Sequence, residues 1–579
     1  MKNIIFCIFI SLCTAVPGFA WSNSGESITV ERIYLNTDKE CYVAGESVWI
    51  SLFCFDTGSE NTKLSTISSI AYIELQSSTG LVAKTKVAII SGRGSGRVEL
   101  PASTPTGNYR LIAYTANMRN ESDLHYFDKV LTVYNTLTNE RDKSCITDEN
   151  DTSSVSTPVF VTSDTRPVLM EVPKTVLLDM PGNQFRQNND VTFKLSNKYD
   201  TPMSLSVSIV NEDDLSTYKN LPMYNYMESG FSKNDANFGV KVIPEYEGEI
   251  VKGRVVTVSG GNRIDNIAGK NIFLSVVGGD SEIYTSVIDS AGRFAFYTTN
   301  IYGNADLIAE IPQLDTNSTF NIELDDNFLY PSVKNIPKLV LRRSYEKDLL
   351  KRSLAMQLNK RYGVDTIFAK SDPMHNPLLS GRCKTYMLDN YTRFPVMEEV
   401  MIEFIPELRF KKIDKKSYLQ VRWENNFRDL TFSTDNTLTV IDGVPVFDHN
   451  VVLRYDPLKV KSINIYEGVY YMGNAEFTGI VVFKTYKEDF PNFVLPKNAK
   501  MLAFNGVGQP CRLTGNTAGD MLPDYRTTIF WDPDVRITSK GDAQLKFHTP
   551  DYPGRFVMTI EGIDASGKPI YLQTKFTVF

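Results

Sequence analysis

At 579 residues the chain is several domains long. With 42% hydrophobic, 22% charged and 11% aromatic residues it is globular in composition, which excludes collagen-like and disordered classes. A net charge of −7 argues against a nucleic-acid binder, which needs a basic face, and four histidines in all weigh against imidazole catalysis and most zinc sites.

Residues 1–20 read as an export signal. Lys2 is followed by the apolar run Ile4–Leu12, and Gly18-Phe19-Ala20 places small residues at the −3 and −1 positions of a cleavage site. The run is too short to span a bilayer, and no later segment reaches that length without charges. Cys13 is an alternative lipidation point, although Leu12 stands where such signals carry a small residue. Cys41, Cys54, Cys145, Cys383 and Cys511 remain after cleavage. This odd, scattered set is neither a disulfide framework nor a zinc site; a Cys41–Cys54 bridge and buried free thiols are the two readings.

Most of the chain alternates like strand, as in Ser47–Phe55, Val191–Ser196, Ser204–Val210 and Arg555–Glu561, with turn residues about every ten positions. The expected fold class is mainly β: tandem antiparallel sandwiches plus one small α+β unit. The polar run from Asn135 to Thr165 reads as a linker, and Leu215–Asn237 as an irregular polar-aromatic excursion. Apolar spacing predicts a helix over Pro337–Tyr362, its core face made of Leu339, Leu341, Leu349, Leu350, Leu354, Met356 and Leu358, and a shorter one over Val396–Phe404.

Between Ile33 and Val133 the sequence contains Tyr34, Thr37, Asp38, Tyr42, Gly45 and Glu46, then Pro105, Gly107, Tyr109, Ala113 and Tyr114. This block resembles the macroglobulin-like sandwich, in which Gly45 and Gly107 would occupy tight turns and Tyr109, Leu111 and Ala113 would face a core. The Cys-Gly-Glu-Gln thioester of large macroglobulins is absent. Val176–Val210 resembles a second such sandwich. Gly253, Gly269, Asp289, Gly292 and Phe294 are similar to the signature of a carboxypeptidase regulatory-like sandwich, a scaffold without catalytic residues.

Phe394–Tyr486 holds Met397–Glu399, the turn Ile441-Asp442-Gly443-Val444-Pro445, the strand Ile463–Tyr466, and then Tyr471, Gly473, Gly479 and Ile480. It resembles the plug domain of TonB-dependent outer-membrane receptors. Asp442-Gly443 between apolar runs is a turn signal by itself. A receptor continues as a barrel of ~22 strands, for which the sequence to Phe579 leaves no room. The implied organisation is a signal (1–20), a macroglobulin-like sandwich (21–135), a linker (136–165), a second sandwich with the excursion (166–247), a regulatory-like sandwich (248–330), a helix with the plug-like unit (331–500) and a C-terminal sandwich (501–579).

Chemistry-bearing motifs are missing: no G-x-S-x-G, H-E-x-x-H, Walker or G-x-G-x-x-G pattern occurs, and His125, His375, His449 and His548 lie in separate blocks. The acidic runs Glu212-Asp213-Asp214 and Glu323, Asp325, Asp326 do not fit a calcium loop and read as solvated faces. No enzyme, metal or cofactor is expected. The candidate interaction surface consists of Tyr224, Tyr226 and Phe231 in the excursion, with Asp442, Tyr466, Tyr470 and Tyr471 in the plug-like block. The expected function is an exported scaffold, periplasmic or at the outer membrane, whose plug-like unit docks an envelope protein such as a barrel transporter. The alternative is a glycan-binding accessory using the rings near Tyr224.

Overall fold

The computed structural model describes residues 30–58, 62–142, 146–148, 176–215, 218, 220–230, 242–257, 267–278, 282–299, 301–312, 320–331, 335–364, 368–370, 383–414, 416–424, 430–434, 436–490, 494–513 and 523–579. The export signal, Phe231, Cys145 and His375 lie outside them. As the sequence predicts, the chain is mainly β, built of packed β-sandwiches with one α+β unit.

The first sandwich runs from Glu31 to Tyr134. One face holds Glu31–Thr37, Ser47–Asp56 and Arg93–Glu99. The other holds Ile70–Ser77, Gly107–Thr115, Phe127–Tyr134 and the parallel edge strand Cys41–Val43. Strand Gly80–Ile90 pairs into both. Tyr109, Leu111 and Ala113 are fully buried, as their alternation predicts. Gly45 takes φ +96°, whereas Gly107 opens a strand and is not among the left-handed glycines, so only one of the two expected turns occurs. Glu31–Thr37, Ile70–Ser77 and Gly107–Thr115 are buried at every position. A strand buried on both faces needs a second layer outside the sandwich, and the other units supply it.

The expected second and C-terminal sandwiches are one. Leu177–Asp179 pairs with Asp190–Ser196, which pairs in turn with Asp542–His548. Met203–Asn211 lies between Thr528–Ile537 and Gly554–Asp564, and Pro569–Val578 completes that sheet with Gln184–Phe185. Val207, Ile209, Phe193, Phe530, Phe556 and Phe576 share one core. Neither segment has enough strands to bury its apolar faces alone, so each supplies the other's missing half.

The third sandwich is inserted into the second and is interrupted in turn. Ile250–Thr257 pairs with Arg293–Tyr297 and Phe320–Leu324. Asn271–Val276 pairs with Ile283–Val287 and Asn304–Glu310, and the last of these takes its outer partner from Ala499–Asn505. Gly253 is required here: a Cβ would sit 2.4 Å from the Glu323 carbonyl and 2.6 Å from the Phe294 ring. Asp289 closes the predicted hairpin by accepting the Ala291 and Arg293 amides at 2.8 and 2.7 Å.

Innermost lies the α+β unit, residues 383–490. Its sheet orders Cys383–Met387, Val460–Met472, Ala475–Thr485, Leu438–Ile441 and Val444–Val446. Helices α3 (Met397–Phe404) and α4 (His449–Arg454) and the strands Leu408–Ile413 and Lys416–Glu424 share its core. The Asp448 carboxylate caps α4 through the Asn450 amide at 3.0 Å. The structure is thus a nest of units, each held within an interruption of the one outside it.

Two further expectations change. The supposed linker contributes Ile146–Asp148, a parallel strand against Leu339–Leu341. The predicted long helix is therefore shorter: α2 spans Glu346–Arg361, and its buried residues are Arg352, Ser353, Ala355 and Met356, while Leu350 and Leu354 are exposed. Arg352 turns the helix. Its guanidinium donates to Asp213 at 2.6 Å, Glu46 at 3.1 Å and the Cys41 carbonyl at 3.0 Å, contacts that outweigh the leucine stripe. Cys41 and Cys54 are separate buried thiols, not a bridge.

Candidate interaction surface

Polar groups that could carry chemistry are engaged in holding the fold. Buried His449 bonds the Leu419 amide at 2.8 Å and the Thr437 carbonyl at 2.9 Å, and burial lowers its pKa. His548 bridges Asp190 and Asn188 at 2.9 and 2.8 Å. The acidic runs are not simply solvated: Glu212 pairs with Lys575 at 2.5 Å, Asp213 with Arg352, Glu323 with Arg254 at 2.9 Å and Asp326 with Lys84 at 2.8 Å. Among the described residues no group of three or more His, Cys, Asp or Glu is placed to hold a metal ion. A cleft of about 80 Å³ between α2 and the first two sandwiches is lined by Lys39, Glu46 and Arg526. Lys39 pairs with Asp38 at 3.1 Å and Arg526 with Asp524 at 2.6 Å.

The rings expected to form a surface divide. Helix α1 (Met223–Gly230) wedges between the first two sandwiches. Tyr226 packs against Tyr34 at 5.5 Å and Phe127 at 5.4 Å, and Tyr224 against Tyr571 at 5.7 Å. A sugar stacking there would first have to displace these neighbours.

Asp442 is buried, not a surface residue. It adopts φ +46°, followed by Gly443 at +83°, forming the predicted two-residue turn. Its carboxylate accepts the Thr485 amide at 2.7 Å, the Thr485 hydroxyl at 2.6 Å and the Phe490 amide at 3.0 Å. Its carbonyl accepts the Gly278 amide of the third sandwich at 2.9 Å. Tyr466 and Tyr470 are half-buried against the cluster of Phe273, Phe477 and Ile480 that joins this unit to the third sandwich. Tyr471, on the opposite face of the same hairpin, is 71% exposed.

Further exposed apolar residues lie elsewhere on the inner unit. Around α3 the rings of Tyr386, Tyr391, Phe404 and Phe394 form a chain with centroids 6.2, 4.8 and 5.5 Å apart. Tyr391, Phe394 and Phe404 line a small pocket with Val400 and Pro457. Tyr391, Val396, Ile402, Leu458 and Tyr486 are exposed large apolar residues in this part of the chain, with Ile402 at 72%. Glu399 and Glu403 are exposed on α3. Glu407 accepts from Lys384 and from the Tyr386 hydroxyl; burial alone would raise its pKa, but these partners hold it below the usual range. The signal in the sequence was the ring spacing Tyr391-x-x-Phe394 before the helix and Phe404 at its end.

No family model matches the chain, and no curated protein matches it. Among solved structures, it aligns with native Escherichia coli alpha-2-macroglobulin at 9% identity and TM-score 0.24, over 95% of this chain and 40% of that one. A mutant Salmonella alpha-2-macroglobulin gives 9% identity and TM-score 0.23, over 96% and 40%. The Yersinia pseudotuberculosis adhesin InvE gives 10% and 0.12, over 50% and 57%. The chain spans about 40% of the macroglobulins it aligns with. The class that the fold defines is a mainly β protein of several sandwiches.

Proposed function

We propose that this chain is a non-enzymatic, exported scaffold of the bacterial envelope. In this reading three sandwiches hold the plug-like α+β unit, which docks an outer-membrane protein through the patch around α3. The observation that carries it is the cluster of exposed apolar residues beside an aromatic chain on the unit held innermost in the nest. Apolar anchors with a polar rim are the usual composition of a docking site, and patches of this kind on a folded domain commonly mark protein contacts. Exposed Glu399 and Glu403 favour a partner with a basic rim. The signal-like residues 1–20 support the location, and no helix among the described residues is long and apolar enough to cross a membrane.

The test is gentle crosslinking in native cells, comparing the wild-type chain with Ile402→Glu and Leu458→Glu. Both positions are exposed, so each change should cost no more than about 0.5 kcal/mol of stability. The expected result is an outer-membrane protein recovered with the wild type and lost with either variant. Equal recovery with all three, or recovery with none, refutes docking by this face.

A further inference from the structure

Where the first sandwich meets the third, two side chains converge on one carboxylate oxygen of a third. Lys86, on the strand Gly80–Ile90, donates its Nζ to Oε1 of Glu249 at 2.6 Å. Asn327, just after the strand Phe320–Leu324, donates its Nδ2 to the same Oε1 at 3.2 Å. The Lys86 and Glu249 side chains are 8% and 2% exposed. The Phe504 ring lies 4.4 Å from Nζ, and Phe328, next to Asn327, is buried in the core of the first sandwich. Nδ2 is also held by the Ile250 carbonyl at 3.1 Å and Nζ by the Asn505 carbonyl at 2.8 Å. The second oxygen of Glu249 is buried with no hydrogen-bond partner. An amine, a primary amide and a carboxylate touching both are thus held together, the amine and the carboxylate buried and the amide half-buried.

We propose that this cluster is an autocatalytic crosslinking site, in which Lys86 and Asn327 join through an amide bond with Glu249 as the proton carrier. Glu249 takes a proton from the Lys86 ammonium, leaving a neutral amine. Its lone pair attacks Cγ of Asn327, forming the Nζ–Cγ bond, and the Cγ–Nδ2 bond then breaks. Glu249 passes its proton and a second one from Nζ to the departing nitrogen, which leaves as ammonium, and the carboxylate is restored. No oxidant, metal or cofactor is needed. One feature favours the step: the folded chain holds amine and amide against one carboxylate oxygen, so little ordering entropy is left to be lost. The product ties the first sandwich to the third by a bond that neither denaturant nor reductant breaks.

The experiment is mass measurement of the purified full chain under denaturing conditions, followed by tryptic mapping. The expected mass is lower than the sequence value by one ammonia, with a branched peptide joining Lys86 to Asn327. Glu249→Gln and Lys86→Arg should restore the ammonia and reduce the branched peptide at least tenfold. A wild-type chain at full mass, with Lys86 and Asn327 in separate linear peptides, overturns the proposal. So does a missing ammonia confined to a linear peptide, which marks a cyclised asparagine. Undiminished crosslinking in Glu249→Gln overturns the proton-carrying role. The wild-type measurement is decisive even if a variant fails to fold.

Discussion

The first sandwich meets its neighbours through directed polar contacts as well as rings, whereas the third meets the α+β unit mainly through rings. At the first junction the Asp38 carboxylate accepts from the Thr528 hydroxyl at 2.5 Å, Asn36 donates to Ser206 at 2.8 Å and Tyr34 to Glu561 at 3.2 Å. Arg93 donates to the Pro533 carbonyl at 2.5 Å while lying 3.4 Å over the Phe53 ring. At the second, Phe273 packs on Phe447 at 4.9 Å and Phe477 at 6.2 Å, with Ile283, Val440, Ile480 and Val482 around them. Hydrogen bonds have fixed directions and set one angle between two bodies, whereas apolar contact contributes energy with less demand on geometry. The first sandwich, the hub of these polar contacts, is therefore fixed in orientation, and the inner unit is held by burial.

The largest expected effect is at the hub. Arg93→Ala removes a buried guanidinium from carbonyls and from Asp534, 3.6 Å away, and should cost about 3–5 kcal/mol. Urea melts of the two proteins measure this; a loss under 1 kcal/mol would show that water replaces the arginine. Phe273→Ala should cost about 3 kcal/mol and act locally, raising proteolytic cleavage within residues 383–490 while leaving the first sandwich protected. Uniform loosening of the whole chain would make the apolar junction part of the hub.

Acidity separates the junctions more finely. Burial pushes Glu245, which accepts from Tyr72 at 2.9 Å and the Ile250 amide at 3.0 Å, up to about 7. Glu310, whose strand mate Ile308 packs in the α+β core, has Asn498 at 3.2 Å and is pushed up to about 8. More donors to the charged form mean a smaller rise. Both carboxyls hold protons more tightly when folded than their usual value near 4.5 allows in the unfolded chain. Stability from each is thus greatest at low pH and falls as pH rises from there to about 7 or 8, by about 1.4 kcal/mol per unit in that window. Thermal melts across pH 5–8 should show the fall, and Glu310→Gln should remove its upper part; an unchanged slope would mean that Glu310 reaches water. The smallest effect belongs to Tyr471→Ala, expected within about 0.5 kcal/mol of wild type because the ring is exposed. A larger loss would show that the hairpin's outer face is packed.

Local features were legible in the sequence. The Asp442-Gly443 turn, the Asp289 hairpin, the helix ending at Phe404 and the alternation of Tyr109, Leu111 and Ala113 depend on neighbours in the chain. What escaped depends on distance. Met203–Asn211 and Gly554–Asp564 each read as a strand, but nothing in either states that its partner lies more than 300 residues away. The leucines of α2 implied a buried stripe because periodicity does not weigh Arg352 against the acids of other segments. Asp442 reads as a surface residue in the sequence because its buried donors, Thr485 and Phe490, follow some 40 residues later.

The nested insertion also dictates an order of assembly. When the ribosome has completed Met203–Asn211, the two strands that will flank it, Thr528–Ile537 and Gly554–Asp564, and the strand Pro569–Val578 beyond them do not yet exist, and they follow more than 300 residues later. The innermost unit can condense as soon as it emerges, but the outer one must wait with an open edge until those strands are made, exposed to wrong pairing. Losing the hairpin Gly554–Val578 would therefore undo a sandwich begun at residue 176 while sparing everything enclosed between.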